Sequence, residues 1–309
     1  MLKLQSKQYS GYRPIRYLLS PAFTIVELLV VIVVIGILAA ITIVSYSGIT
    51  TKANIATMQS DLSNASTKLK MYQTENSMLP ATAAAAISAG LITPSLNMDY
   101  YSYNVDNVSN PQYFCYMYRK GTDVYAVDSN SAPSKGVCLS NLVGNGDFRL
   151  DGNSDGLADG WLHSSSTGHY IDSNIEYFKS SVTGFTGALF SPVVGQSRDK
   201  HYISFDAVNI QAVAYLAEYF ISGSDWNRTP VYNGHTTGVV IPHQTTTYPD
   251  YRLAFYPNTV GIYSAVSNAA FINLTQIFGA GSEPTRAQMD TTMSQFPNNW
   301  FNATMKANL

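Results

Sequence analysis

The feature that most restricts this chain is the run FTIVELLVVIVVIGILAAITIV, Phe23 to Val44, apolar apart from Thr24, Glu27 and Thr42. Coiled as an α-helix it extends about 33 Å, enough to cross the hydrocarbon layer of a bilayer. Lys3, Lys7, Arg13 and Arg16 precede it, and residues 1–22 contain no acid. That excess of positive charge keeps the leading end in the cytoplasm and sends everything beyond Val44 outward. The run is longer than the roughly 7–15-residue core of a secretory signal peptide, and it continues past Ala39 and Ala40 through Ile41, Ile43 and Val44.

The remaining composition fits an exported chain. Charged residues make up 12%, while Tyr reaches 22 and Gly 21, which suits a β-rich surface protein. With the four leading cations set aside, 14 basic residues face 20 acidic ones, so composition offers no basic patch for nucleic acid. Cys115 and Cys138 are an even pair that oxidises to one disulfide in an export compartment. A length of 309 residues exceeds one average domain.

Within the apolar run Glu27 is anomalous, because a carboxylate buried in lipid costs several kcal/mol unless it is neutralised or paired. The basic leader, a small residue at Ala22 and the string Phe23-Thr24-Ile25-Val26-Glu27-Leu28-Leu29-Val30-Val31-Ile32 resemble the N-terminus of type IV prepilins. The resemblance implies that a prepilin peptidase cuts the Ala22–Phe23 bond and methylates the new amine. Where that family usually has Gly, this chain has Ala22 after Pro21. It also implies that apolar helices bundle into a filament core, with Glu27 meeting the amine of Phe23 on a neighbouring subunit. Removing one partner of such a desolvated pair costs roughly 3–5 kcal/mol. The implied partners are other pilin subunits, the prepilin peptidase, the pilus assembly platform and the membrane. The implied location is the cytoplasmic membrane before assembly and a surface filament afterwards. Gly36 reads either as a site of local helix stretching or as the ordinary Gly content of membrane helices.

Ile55, Met58, Leu62, Ala65, Leu69 and Tyr72 recur three and four residues apart, one apolar stripe of an amphipathic helix that continues the first. Asn76, Ser77 and Pro80 end it near residue 77. The stretch 72–80 also resembles the close of the long pilin helix, so the likeness covers about residues 13–140. A short helix is predicted over 83–89, and strands over 100–105, 113–119 and 124–128.

A second unit opens with Asn141-Leu142-Val143-Gly144-Asn145-Gly146-Asp147-Phe148. Strands are predicted over 202–208, 212–221, 237–241, 251–256 and 261–265, and a capped helix runs from Thr285 to about Gln295 with Gln288 completing the box. The opening and the segment 278–285 resemble parts of bacterial and phage jelly-roll modules, many of which bind carbohydrate. The expected fold is therefore α+β: a leader over 1–22, a pilin-like unit over 23–140 with a long helix on a small antiparallel sheet, and an all-β jelly-roll sandwich over 141–309.

Asp151, Asn153, Asp155, Leu157 and Asp159 place oxygen ligands on alternating residues, as in the first half of a calcium loop, with Gly156 for the turn. The Glu expected eleven residues after Asp151 is replaced by Leu162. Ca2+ is the one cofactor expected. Trp161, Trp226 and Trp300 are candidate glycan contacts. His163, His169, His201, His235 and His243 lack helical metal spacing and read as ordinary surface or loop residues.

These features point to a minor or tip pilin, not an enzyme, whose distal unit contacts a surface or glycan. Two alternatives share the N-terminus. One is a pseudopilin of a secretion or DNA-uptake machine. The other is a membrane-anchored glycan hydrolase using carboxylates such as Glu176, Asp206 or Glu218.

Overall fold

A computed structural model describes residues 24–94, 98–108, 110–163, 167–180, 189–191, 199–216, 232–240, 252–257, 259–301 and 303–309. The chain forms two compact units, Met1–Ala53 and Asn54–Leu309. Helix α1, Ile25–Asn76, is continuous, as the sequence predicts. Its apolar first half has its side chains exposed; Leu28, for example, is 61% accessible. Thr42 is accommodated in this half because its hydroxyl donates back to the Leu38 carbonyl, 3.0 Å away. The helix ends where Ser77 turns left-handed at φ 61°.

In the second unit the later stripe of α1 does the packing. Met58, Leu62, Ala65 and Leu69 are buried against Phe114, Tyr116, Tyr118 and Val127. Those residues belong to an antiparallel sheet of β1 (Tyr100–Asp106), β2 (Tyr113–Lys120) and β3 (Asp123–Asp128), preceded by a short helix α2 (Ala83–Ser88). Strand β2 alternates two apolar sets. Phe114, Tyr116 and Tyr118 face α1, while Cys115 and Met117 lie in a different core.

Strand β4 (Ser134–Ser140) meets β3 over Tyr125–Lys135 and Ala126–Ser134 and then departs. Across two strand spacings, about 9–10 Å, Cys115 and Cys138 would be too far apart to bond. Their Cα atoms are 5.7 Å apart and the disulfide is formed, so β4 has left the sheet plane to cross the face of β2. The Cys138 amide there points at Met117 Sδ, 3.3 Å away. The last strand, β13 (Thr304–Asn308), pairs with β4 from Ser140 to Gly136. Gly136 is required by that pairing, because a Cβ there would stand 2.5 Å from the Ala307 carbonyl oxygen.

The face carrying Cys115 and Met117 is covered by residues near the other end of the chain. Helices α3 (Leu274–Phe278) and α4 (Arg286–Met293) bring Ile277, Met289 and Met293 onto it, joined by Phe296 and Phe301. Helix α4 begins at Thr285 with the predicted capping box on Gln288.

The second sheet has eight strands among the described residues: β5 (Leu162–His163), β6 (Thr167–Asp172), β7 (Ile175–Ser180), β8 (Leu189–Phe190), β9 (His201–Leu216), β10 (Tyr232–Val240), β11 (Arg252–Pro257) and β12 (Ser264–Asn273). Their order is β5-β8-β11-β9-β12-β7-β6, with β10 also on β9. Two predicted strands, 202–208 and 212–221, are one 16-residue strand as far as Leu216. Residues 201–208 of β9 pair with β12 and residues 210–216 with β11, while β10 pairs with residues 201–207 and again at Ile210. Asn209 between them stands at φ 57°, and register shifts flank it in β10 and β11. This corner lets both halves close over one core, where Phe178, Phe205, Phe255 and Phe271 are buried with Trp161. The strand predicted over 261–265 begins later, at Ser264, because Gly261 is a turn residue at φ 76°.

Candidate functional site

At the start of α1 the anomalous acid is already engaged. Thr24 is the residue before the helix, and its amide and hydroxyl donate to Glu27 Oε2 at 2.9 and 2.8 Å. The Glu27 amide donates back to the Thr24 hydroxyl at 3.2 Å. This is a capping box, Thr-x-x-Glu, written into the string that resembled a prepilin. The box therefore satisfies two backbone donors reciprocally, with the Glu27 carboxylate on the Thr24 amide and the Thr24 hydroxyl on the Glu27 amide, before any neighbouring subunit is considered. Ala22 and Phe23 lie outside the described residues.

The Asp-rich loop turns its oxygens onto its own backbone. Asp151 Oδ1 and Oδ2 accept from the amides of Asp155 and Gly156, at 3.1 and 3.0 Å. Asp155 Oδ1 accepts from the Leu157 amide at 2.9 Å, and Asn153 Nδ2 donates to Asp155 Oδ2 at 2.9 Å. The Gly152 amide donates to the Asp159 carboxylate at 3.1 Å. Gly156, at φ 80°, lies against His169: a Cβ there would be 3.5 Å from the His169 carbonyl oxygen. The loop thus rests on a group that sequence reasoning did not single out.

That group is His163, His169 and Glu176. Strands β6 and β7 form a two-residue hairpin whose turn, Ser173 and Asn174, has φ 52° and 63°, the type I′ geometry. Its register sets His169 opposite Phe178 and Ile171 opposite Glu176. All four point to one face, and Glu176 and Phe178 are fully buried there. His163, on β5, stacks its ring on that of His169 with centroids 4.2 Å apart. Its Nε2 stands 3.3 Å from Glu176 Oε1.

Burial pushes the Glu176 carboxyl up to about 8; the Ala158 backbone opposes this, and the charges of Asp151 and Asp155 add to it. Burial likewise pulls His163 down to about 3, helped by His169 and resisted by Asp155. At neutral pH His163 is therefore held as a neutral imidazole beside a largely protonated Glu176. Reading these histidines as ordinary surface residues is thus corrected for His163 and His169, and also for His201, which is buried and stacked on Phe271. A test of helical spacing could not find them. The signal lay in strand parity across a Ser-Asn turn.

The remaining candidates are dispersed. Trp161 is 2% exposed, with Phe148 and Phe255 against its ring and its indole donating to the carbonyls of Gly144 and Asn145, so neither face is open to a sugar. Trp300 is half-buried and lines a cleft of about 610 Å3 with Asp147, Arg149 and Asn298. Trp226, Glu218 and His243 lie outside the described residues. Asp206 accepts from Asn268 at 2.7 Å and lies 2.8 Å from His235 Nδ1. Glu176 is closed off from solvent.

No family model matches the chain. A comparison of structures pairs 42% of it with 21% of the enzymatically active domain of bacteriophage CBA120 tailspike protein 4, at 15% identity and a TM-score of 0.27, too low to carry any argument. The sequence is similar to the type IV wide pilus major component PilA4 of Thermus thermophilus, 31% identical over 121 residues, which is 39% of this chain and 88% of that pilin. An apolar helix opening on an acid, whose later stripe packs on an antiparallel sheet, accompanies that near-complete match, and the chain belongs to the type IV pilins.

Proposed function

We propose that this chain is a minor or tip pilin. It would assemble through the apolar half of α1 and present its β-rich remainder on the filament surface for adhesion. The observation that carries the reading is the first half of α1. It is long and apolar enough to cross a membrane, and none of its most apolar stretch is buried within the chain. An uncovered apolar surface of that kind needs either lipid or other copies of the same helix. The membrane holds the subunit before assembly and neighbouring pilins cover it afterwards. The match to PilA4 takes up 39% of the chain, so more than half is additional to a pilin of that size. That addition supports display over a purely structural role. The long bent strand β9 supports reading its β-rich core as a jelly-roll sandwich. Within it, the cleft at Trp300 is the place for a glycan, having an aromatic edge beside charged and amide groups.

The test uses the full chain in a pilus-forming host, with sheared filaments probed for the subunit and its N-terminus weighed. The wild-type chain is expected in the filament fraction, starting at a methylated Phe23. Glu27→Gln keeps an oxygen to accept from Thr24 but removes the charge, so it preserves the capping box while abolishing the pair with a neighbouring amine. It is expected in the membrane and absent from filaments. Normal entry of both Glu27→Gln and Glu27→Ala into filaments would leave only a tethered surface protein.

A further inference from the structure

We propose that His163, His169 and Glu176 form a structural site for a divalent transition ion of the Zn2+ class, clasping the two edges of the second sheet. In the order β5-β8-β11-β9-β12-β7-β6, His163 lies on the strand at one end and His169 on the strand at the other. The fold brings those ends together, and their rings stack at 4.2 Å. No ladder joins β5 to β6 among the described residues, so the seam lacks the backbone hydrogen bonds that hold every other neighbouring pair.

Two independent observations mark the trio as a ligand set. One donor atom from each residue lies within 4.8 Å of the others. Ligands about 2.0–2.2 Å from a common ion stand roughly 3.4 Å apart in a tetrahedron, so the side chains need to close by at most about 1.4 Å. Separately, Glu176 is fully buried, yet its Oε2 has no hydrogen-bond partner among the described residues, and the same holds for His169 Nδ1. Buried polar atoms are normally satisfied, so an orphaned oxygen and an orphaned ring nitrogen on two members of one cluster call for a missing partner. A metal ion supplies what both require.

The donor set decides the class of ion. Two imidazoles and one carboxylate suit Zn2+ and its neighbours Co2+, Ni2+ and Cu2+, whereas Ca2+ takes six to eight oxygens. Three protein ligands leave a fourth position for water or for a carboxylate of the overlying loop. Asp151 and Asp155 are close enough for their charges to be felt at Glu176. The ion would tie β5, β6 and β7 together, replacing the absent ladder by three coordinate bonds.

The experiment uses the full-length chain in detergent micelles, stripped with chelator and then titrated with Zn2+, with Co2+ or with Ca2+ alone. Bound metal, the visible bands of Co2+ and the thermal unfolding temperature are followed. One equivalent of Zn2+ is expected, with Co2+ bands of low-symmetry coordination and a raised unfolding temperature. Glu176→Gln and His169→Gln retain side-chain volume. Each should weaken binding by at least the roughly 10–100-fold that loss of an outer-shell partner causes. His235→Ala, outside the site, should bind as the wild type does. Failure to take up stoichiometric Zn2+ overturns the site. So does unchanged binding in both Gln variants, or a response to Ca2+ alone, which would put the ion in the Asp151–Asp159 loop. If one Gln variant does not fold, the other and the Co2+ spectrum of the wild type still decide.

Discussion

Tyr113 joins two strands that are far apart in the chain. The Lys306 amide of β13 donates to its hydroxyl at 3.0 Å, and the hydroxyl donates to Asp128 Oδ2 at 2.8 Å. Burial alone would raise the Asp128 carboxyl, but hydrogen bonds from Ser131, Tyr113 and the Asn130 amide outweigh it and hold the group below its ordinary value. Because the folded value is the lower one, the stabilisation is fully present above about pH 4 and is lost as pH falls through the folded value. Tyr113→Phe strands the Asp128 oxygen and the Lys306 amide, so it is expected to lower stability by about 1–3 kcal/mol at pH 7. It should also shrink the drop in stability between neutral and acid solution. Thermal unfolding of both proteins across that range checks both effects. None of this was legible in the sequence, since 193 residues separate Tyr113 from Lys306. The same holds for the trio around Glu176, whose residues share a face only once the Ser173-Asn174 turn is known.

Among the elements, α1 was the most legible, because a helix declares its face every three or four residues whatever it packs against. Its apolar run, its stripe and its stop near residue 77 all appear where the sequence puts them. Strands β1, β2 and β3 were legible for the same reason at period two. Strand β4 was not: residues 134–140 alternate only weakly, and their course is set by the disulfide and by β13. Because β4 meets β3 over just two residue pairs, the Cys115–Cys138 bond is expected to hold its crossing half in place. Replacing both cysteines by Ala should cost about 3 kcal/mol, from the loop released in the unfolded chain. Limited proteolysis is expected to show new cleavage within 129–140 before the rest of the unit opens, with denaturant titration giving the loss of stability. Cleavage spread evenly over the unit would show instead that β4 does not depend on the bridge.

Over the whole molecule the sheet carrying β2 is covered on one face by α1 and on the other by α3, α4 and the last strand. Ile277, Met289, Met293, Phe296 and Phe301 contribute five large buried side chains to that second face. At about 1.5–3 kcal/mol each, their removal forfeits on the order of 10 kcal/mol, comparable with the whole net stability of a domain. A chain ending at Ser140 is therefore expected to aggregate or to remain unfolded. A chain that keeps residues 264–309 on a short linker should retain more of the first sheet and its packing on α1. Solubility and the cooperativity of thermal unfolding distinguish the two. Tyr202 and Ile272, from β9 and β12, are also buried in this core, so strands of the second sheet share packing with the first.

The sequence by itself determined the apolar helix, the amphipathic stripe, three strands of the first sheet and the capped helix near the end. Each is encoded by residues within a few positions of one another, where periodicity and capping chemistry act directly. Only the tertiary structure decided that the last strand closes the first sheet, that β9 bends at Asn209 to serve both halves of the second, and that His163, His169 and Glu176 meet at a seam. Those outcomes depend on which apolar faces cover one another across a hundred residues or more, or on strand register, and a contact of either kind leaves no period in the chain.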